Sequence, residues 1–141
     1  MAIASFIIGQ SINSHSSFCN PDSLNLSLNL PEFVLQYLTS SSFEYLKNIE
    51  DELKEFFLTH SNCELHVSSD RYPKELTELH EYIEFKKWNK EDEVSHIQEF
   101  DVGIMPIEQD EYSLGKCSYK MLLYLSCGVP ACVTSWGMNK E

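Results

Sequence analysis

Positive charge is what this chain has least of. Ten lysines and arginines stand against 22 aspartates and glutamates, a net charge of −12 over 141 residues. Nucleic-acid binding depends on clustered basic side chains, so the balance argues against a nucleic-acid partner. It argues equally against the whole surface lying on anionic lipid, and leaves only a local, peripheral membrane contact open. No apolar run is long enough to cross a bilayer. The first apolar stretch, AIASFIIG, is short and has no basic residue before it, so it lacks the form of a secretory leader. No C-x-x-C occurs among the five cysteines, Cys19, Cys63, Cys117, Cys127 and Cys132. Their odd count and apolar neighbours read as reduced thiols of a cytoplasmic protein. The five histidines, His15, His60, His66, His80 and His96, pair with no Cys or carboxylate at metal-ligand spacing, so no metal site is expected.

What is present is enough apolar material, 43% of the residues, for one domain with a sizeable core. Residues 1–31 stand apart: rich in Ser and Asn, without helical period, they read as a linker or arm. From residue 32 to 141 strand and helix signals alternate. EFVLQYL, CELHV, EYIEF, DVGIM and ACVT read as five strands. The stretch 42–60 places Leu46, Ile49, Leu53, Phe56 and Phe57 on one helical face, with Ser41 and Glu44 as a capping box. RYPKELTELH, after a turn at Pro73, reads as a weak short helix. Residues 89–99 predict a helix capped by Asn89. Residues 118–126 predict a helix apolar nearly all round and therefore buried, closed by Gly128 in a left-handed cap with Pro130 beyond it. Five-fold alternation with apolar strands predicts an α/β, doubly wound parallel sheet with helices on both faces. Its last strand ends close to Glu141, so the sheet is expected to be truncated at the C-terminus.

In such sheets ligands bind beyond the carboxyl ends of the strands, where the strand order reverses. With the first strand central, that switch point joins the loops 39–42 and 105–116. The first offers Thr39, Ser40 and Ser41 at a helix start. The second offers Gly115, Lys116 and Ser118, with Lys120 one turn further on. Lysines favour the C-terminal end of a helix. Two of them at the opposite end, the only cations between Lys90 and Lys140, point to a bound anion such as a diphosphate. Plainer readings stand beside this one. Ser41 is a cap, Lys120 reaches solvent, and Trp88 packs at a sheet edge instead of stacking on a base. Glu108, Asp110 and Glu111 form a solvated loop face, Tyr124 is core, and Cys117 has no histidine partner to make it a nucleophile.

Two blocks carry a resemblance. One runs WNKEDEVSHIQEFDVGIMPI; the other runs GKCSYKMLLYLSCGVPACVTSWGMNKE. Together they resemble the C-terminal domain of family-four glycosyltransferases of the GT-B fold, and FVLQYLTSSSFEYLKNIEDELK is similar to that domain's first strand, phosphate turn and helix. The resemblance implies a Rossmann-like half that binds a nucleotide-diphosphate sugar (a UDP-, GDP- or ADP-sugar) and a retaining transfer of the sugar to an acceptor. It implies no further cofactor and no metal. The acceptor site would lie on an N-terminal domain missing from this chain, and 1–31 would be the linker from it; the chain alone is expected to be inactive. Lys116 and Lys120 would be catalytic, stabilising charge on the leaving diphosphate. Thr39, Ser40, Ser41, Gly115 and Ser118 would hold the donor, with Trp88 at its base. The family's usual carboxylate for the ribose falls near Leu123, and its first-strand glycines fall at Gln36 and the Thr39-Ser40-Ser41 turn. Those departures support an alternative, a non-catalytic nucleotide-binding or interaction module on the same fold. A receiver-type domain is a third reading, and lacks the acidic cluster expected after its first strand.

Overall fold

The computed structural model describes residues 33–39 and 43–140. The expected arm 1–31 and the turn residues Ser40 and Ser41 lie outside them. Five strands form one all-parallel sheet: β1 (Phe33–Leu38), β2 (Cys63–Ser69), β3 (Ile83–Lys87), β4 (Val102–Met105) and β5 (Ala131–Val133). Their spatial order is β3-β2-β1-β4-β5, so β1 is central, the condition on which a switch point between β1 and β4 rests. Leu35 lies opposite Leu65 on one side and Val102 on the other. β4 is buried along its whole length, as the apolar run VGIM requires of a strand covered on both faces.

Strand parity sends side chains to alternate faces. Leu35, Tyr37, Leu65, Val67, Val102 and Ile104 meet Phe43, Leu46, Leu53, Phe56 and Phe57 in one core. Leu38 turns the other way, into a second cluster with Ile97, Tyr124 and Val129. Helices therefore cover both faces. They are α1 (Glu44–Lys47), α2 (Glu50–Thr59), α3 (Glu93–Ile97), α4 (Glu111–Leu114) and α5 (Tyr119–Ser126).

The helices and the loops around them depart from expectation in five places. The stretch 42–60 is broken between α1 and α2. Glu44 is the first helical residue and Phe43 the N-cap, so Glu44 stands two positions too early for a capping box with Ser41. At the break, Asn48 Nδ2 donates to Glu108 Oε1 at 2.5 Å. Glu50 turns inward, where its carboxylate accepts from Glu78 N at 3.0 Å and pairs with Lys47. Buried carboxylates persist only with such partners. That anchor holds 70–79 as turns instead of the short helix expected there, and the segment buries Leu76 and Leu79 fully. α3 is shorter than 89–99 because Asn89 closes a local turn: it accepts from Glu91 N at 3.0 Å and donates to Asp92 at 2.7 Å. In the acidic loop, Asp110 is no idle solvated acid. It caps α4, accepting from Ser113 N at 2.7 Å in a reciprocal capping box. α5, finally, is not buried all round. Tyr124 is fully buried, whereas Tyr119, Leu122 and Leu125 are 58%, 59% and 53% exposed. Its end behaves as read. Gly128 has φ 81°, Gly128 N donates to Leu125 O and Val129 N to Tyr124 O, both at 3.0 Å. Val129 then packs back on Tyr124 in the second cluster.

Candidate functional site at the switch point

The chain leaves β1 for α1 on one face, while the helices after β4 lead to α5 on the other. In open parallel sheets that reversal, here between β1 and β4, is where a ligand crevice is expected. Tyr37 and Thr39 come to it from the end of β1, Tyr45 from α1, Tyr112 from α4, Lys116 from the linker and Lys120 from the first turn of α5. The Lys116 ammonium donates to Tyr45 Oη at 2.6 Å. It lies 4.0 Å from the centre of the Tyr45 ring and 5.1 Å from that of Tyr112. The Lys120 ammonium lies 5.4 Å from the centre of the Tyr37 ring. Aromatic faces attract cations through their quadrupole, so three tyrosines hold two ammonium groups near one another.

The electrostatics are unbalanced. Among the described residues neither lysine is in an ion pair, although Lys47, Lys54 and Lys86 each are. Burial, and then the charge of Lys116, push the Lys120 ammonium down to about 8. Burial pushes the Tyr37 hydroxyl up to about 12, against the opposing effect of its hydrogen bond with Thr39. Asp110 is held below the usual carboxylate range, first by the Ser113 amide and hydroxyl and to a lesser degree by Lys116. The N-cap of α5, Ser118, makes no side-chain cap, so its hydroxyl does not occupy the first amides of that eight-residue helix. Two half-buried cations in no ion pair among the described residues, beside a helix N-terminus, can hold a polyanion.

The predicted residues divide. Lys116 and Lys120 come close enough to feel each other's charge, and Thr39 is hydrogen-bonded to Tyr37, whose ring faces Lys120. Gly115 is the exposed residue that ends α4. Ser118 is buried and its hydroxyl donates to Asn139 Oδ1 at 2.7 Å, tying α5 to the Gly137–Lys140 turn. Trp88 packs with Leu38, Ile97, Tyr124 and Val129, and its indole donates to Glu93 Oε1 at 2.8 Å; it bonds as the packing residue of the plainer reading does. Only one of the two expected helix N-termini has any length, because α1 is four residues long. The tyrosines were missed. The signal for one was available, since Tyr112 stands four residues before Lys116, a neighbouring position on a helical turn. Among the described residues no group of three or more His, Cys, Asp or Glu could hold a metal ion, and Cys117, Cys127 and Cys132 are free thiols. No family model, curated protein or solved structure matches the chain.

Proposed function

We propose that the crevice binds the diphosphate of a nucleotide sugar, and that the chain is the donor-binding domain of a retaining glycosyltransferase acting with a separate acceptor-binding domain. The observation that carries this is the pair of lysines at the switch point, partly withdrawn from water and, among the described residues, in no ion pair. Lys116 and Lys120 would take the charge that develops on the leaving diphosphate, and the donors near them would already be in place when it develops. A non-catalytic nucleotide-binding module is the second reading. One observation favours it: Leu123, where a carboxylate for the ribose would be expected, packs against the second apolar cluster.

The test is a titration with UDP, GDP and ADP and their sugars at fixed salt. A charge-assisted hydrogen bond contributes about 1.5–3 kcal/mol, so Lys116→Ala is expected to weaken binding by about tenfold or more. Equal affinities for the two proteins would remove Lys116 from the site. Binding without sugar transfer or donor hydrolysis, once an acceptor domain is supplied, would select the second reading.

A further inference from the structure

Large apolar side chains left in water are not scattered over this protein. Eight are strongly exposed among the described residues, and six of them fall in one stretch: Tyr112, Leu114, Tyr119, Leu122, Leu125 and Met138. Tyr119, Leu122 and Leu125 recur at three-residue spacing, on the side of α5 turned away from the buried Tyr124. α4, the start of α5 and the Gly137–Lys140 turn are tied together in space. A Cβ added at Gly137 would meet Leu114 Cα at 3.4 Å, and Ser118 Oγ donates to Asn139 Oδ1 at 2.7 Å. Met138 stands between those two anchors. The charge is segregated in the same way. Residues 112–140 hold three lysines and no acid, whereas the rest of the chain holds seven basic side chains and all 22 acidic ones. Of the two acids just before the stretch, Asp110 is engaged in capping α4 and Glu111 opens that helix.

We propose that this face, from α4 through α5 to the Gly137–Lys140 turn, docks on an anionic lipid surface, with Leu122 and Leu125 entering the headgroup layer. Contiguous apolar side chains with a polar rim mark an interaction face. Charge complementarity names the occupant. A negative surface repels acids and attracts lysines, and the face lacks the first and carries the second. Lys140 is exposed, with its ammonium 5.2 Å from the centre of the Trp136 ring, and tyrosine and tryptophan suit the boundary between headgroup and water. Two copies of the face set against each other would instead bring lysines onto lysines. The described residues hold no helix long and apolar enough to cross a membrane, so this contact lies on the surface. Leu58 is the contrast. It is as exposed as any of the six but one, yet Asp51, Glu52 and Glu55 share its helix, α2. The proposal goes beyond the donor reading and needs no nucleotide.

The test is sedimentation of the whole chain with vesicles of phosphatidylcholine and phosphatidylserine in equal parts, with pure phosphatidylcholine alongside. Binding is expected to the mixed vesicles, about tenfold or more tighter than to the pure ones, and should weaken as salt rises. Leu122→Ser combined with Leu125→Ser should abolish it without changing the circular dichroism spectrum. Lys140→Glu, which leaves α5 untouched, should weaken it by about tenfold, since each charge near the surface counts for about a fivefold change. Leu58→Ser should leave it intact. Absence of binding, equal binding to both lipids, or full binding by the double variant or by Lys140→Glu would overturn the proposal, as would an equal loss with Leu58→Ser. Self-association that the double variant abolishes, without vesicle binding, would overturn it too and give the face to a second copy. Nucleoside diphosphate binding without vesicle binding would sink this proposal and leave the donor reading standing.

Discussion

Lys120 and Tyr37 sit a few ångströms apart and respond to alkali in opposite senses. The Lys120 ammonium is lowered from 10.5 to about 8 in the fold. Between those values the unfolded chain binds the proton more tightly, so stability rises with pH from about 8 towards 10. Tyr37, raised from 10.0 to about 12, keeps a proton that the unfolded chain has already lost, so stability falls again above pH 10. Lys120→Met is therefore expected to melt above wild type at pH 7, with the difference closing as the pH approaches 10. Melting curves at stepped pH check this, and parallel curves for the two proteins would show that Lys120 is not held charged against its surroundings. The two lysines were legible from the sequence because cations are rare in it and stand at the wrong end of a helix. Tyr45 was not, since only the fold carries it across 71 residues to Lys116. Gln36 was noticed as a replaced glycine. Its complete burial, with neither amide atom hydrogen-bonded, depends on its place in the central strand, between β2 and β4, with helices over both faces of the sheet.

At the scale of elements, α5 meets the sheet through one fully buried residue, Tyr124. The Tyr124 ring lies directly over Gly103, where an added Cβ would fall well inside contact distance. Its hydroxyl accepts from Leu38 N at 3.1 Å. Gly103→Ala is expected to cost about 1–3 kcal/mol through overpacking. Tyr124→Phe should cost a similar amount, about 1–3 kcal/mol, by leaving the Leu38 amide buried without an acceptor. Leu122→Ala, on the exposed face of the same helix, should stay within about 0.5 kcal/mol of wild type. Urea midpoints at constant slope measure all three. If Leu122→Ala proved as costly as Tyr124→Phe, α5 would have a covered second face in solution. The helix signal at 118–126 was legible with its Gly128 stop, because propensity and capping are local. Its exposure was not, because periodicity cannot count how many neighbours a helix meets. The break at Asn48 escaped for the same reason. Its causes are Glu108 and Glu78, residues distant in sequence.

For the whole molecule, the order β3-β2-β1-β4-β5 sets a gradient of burial. Every described side chain of β1 and all of β4 are buried, whereas the three residues of β5 are only half-buried. Amide exchange should be slowest in β1, β2 and β4 and faster in β3 and β5; uniform protection across the sheet would contradict the gradient. The alternation of five apolar strands with helical segments was written in the sequence, and with it the parallel sheet, since parallel neighbours need crossovers and right-handed crossovers allow few orders. The reason to propose an anion site was written there too, in the contrast between two lysines and an otherwise acidic chain. What only the tertiary structure decided is the company those lysines keep. Tyr37, Tyr45 and Tyr112 reach them from three elements, and among the described residues no carboxylate forms an ion pair with them. Local sequence carries propensity and period, but electrostatic balance at a point is a sum over everything the fold brings near it.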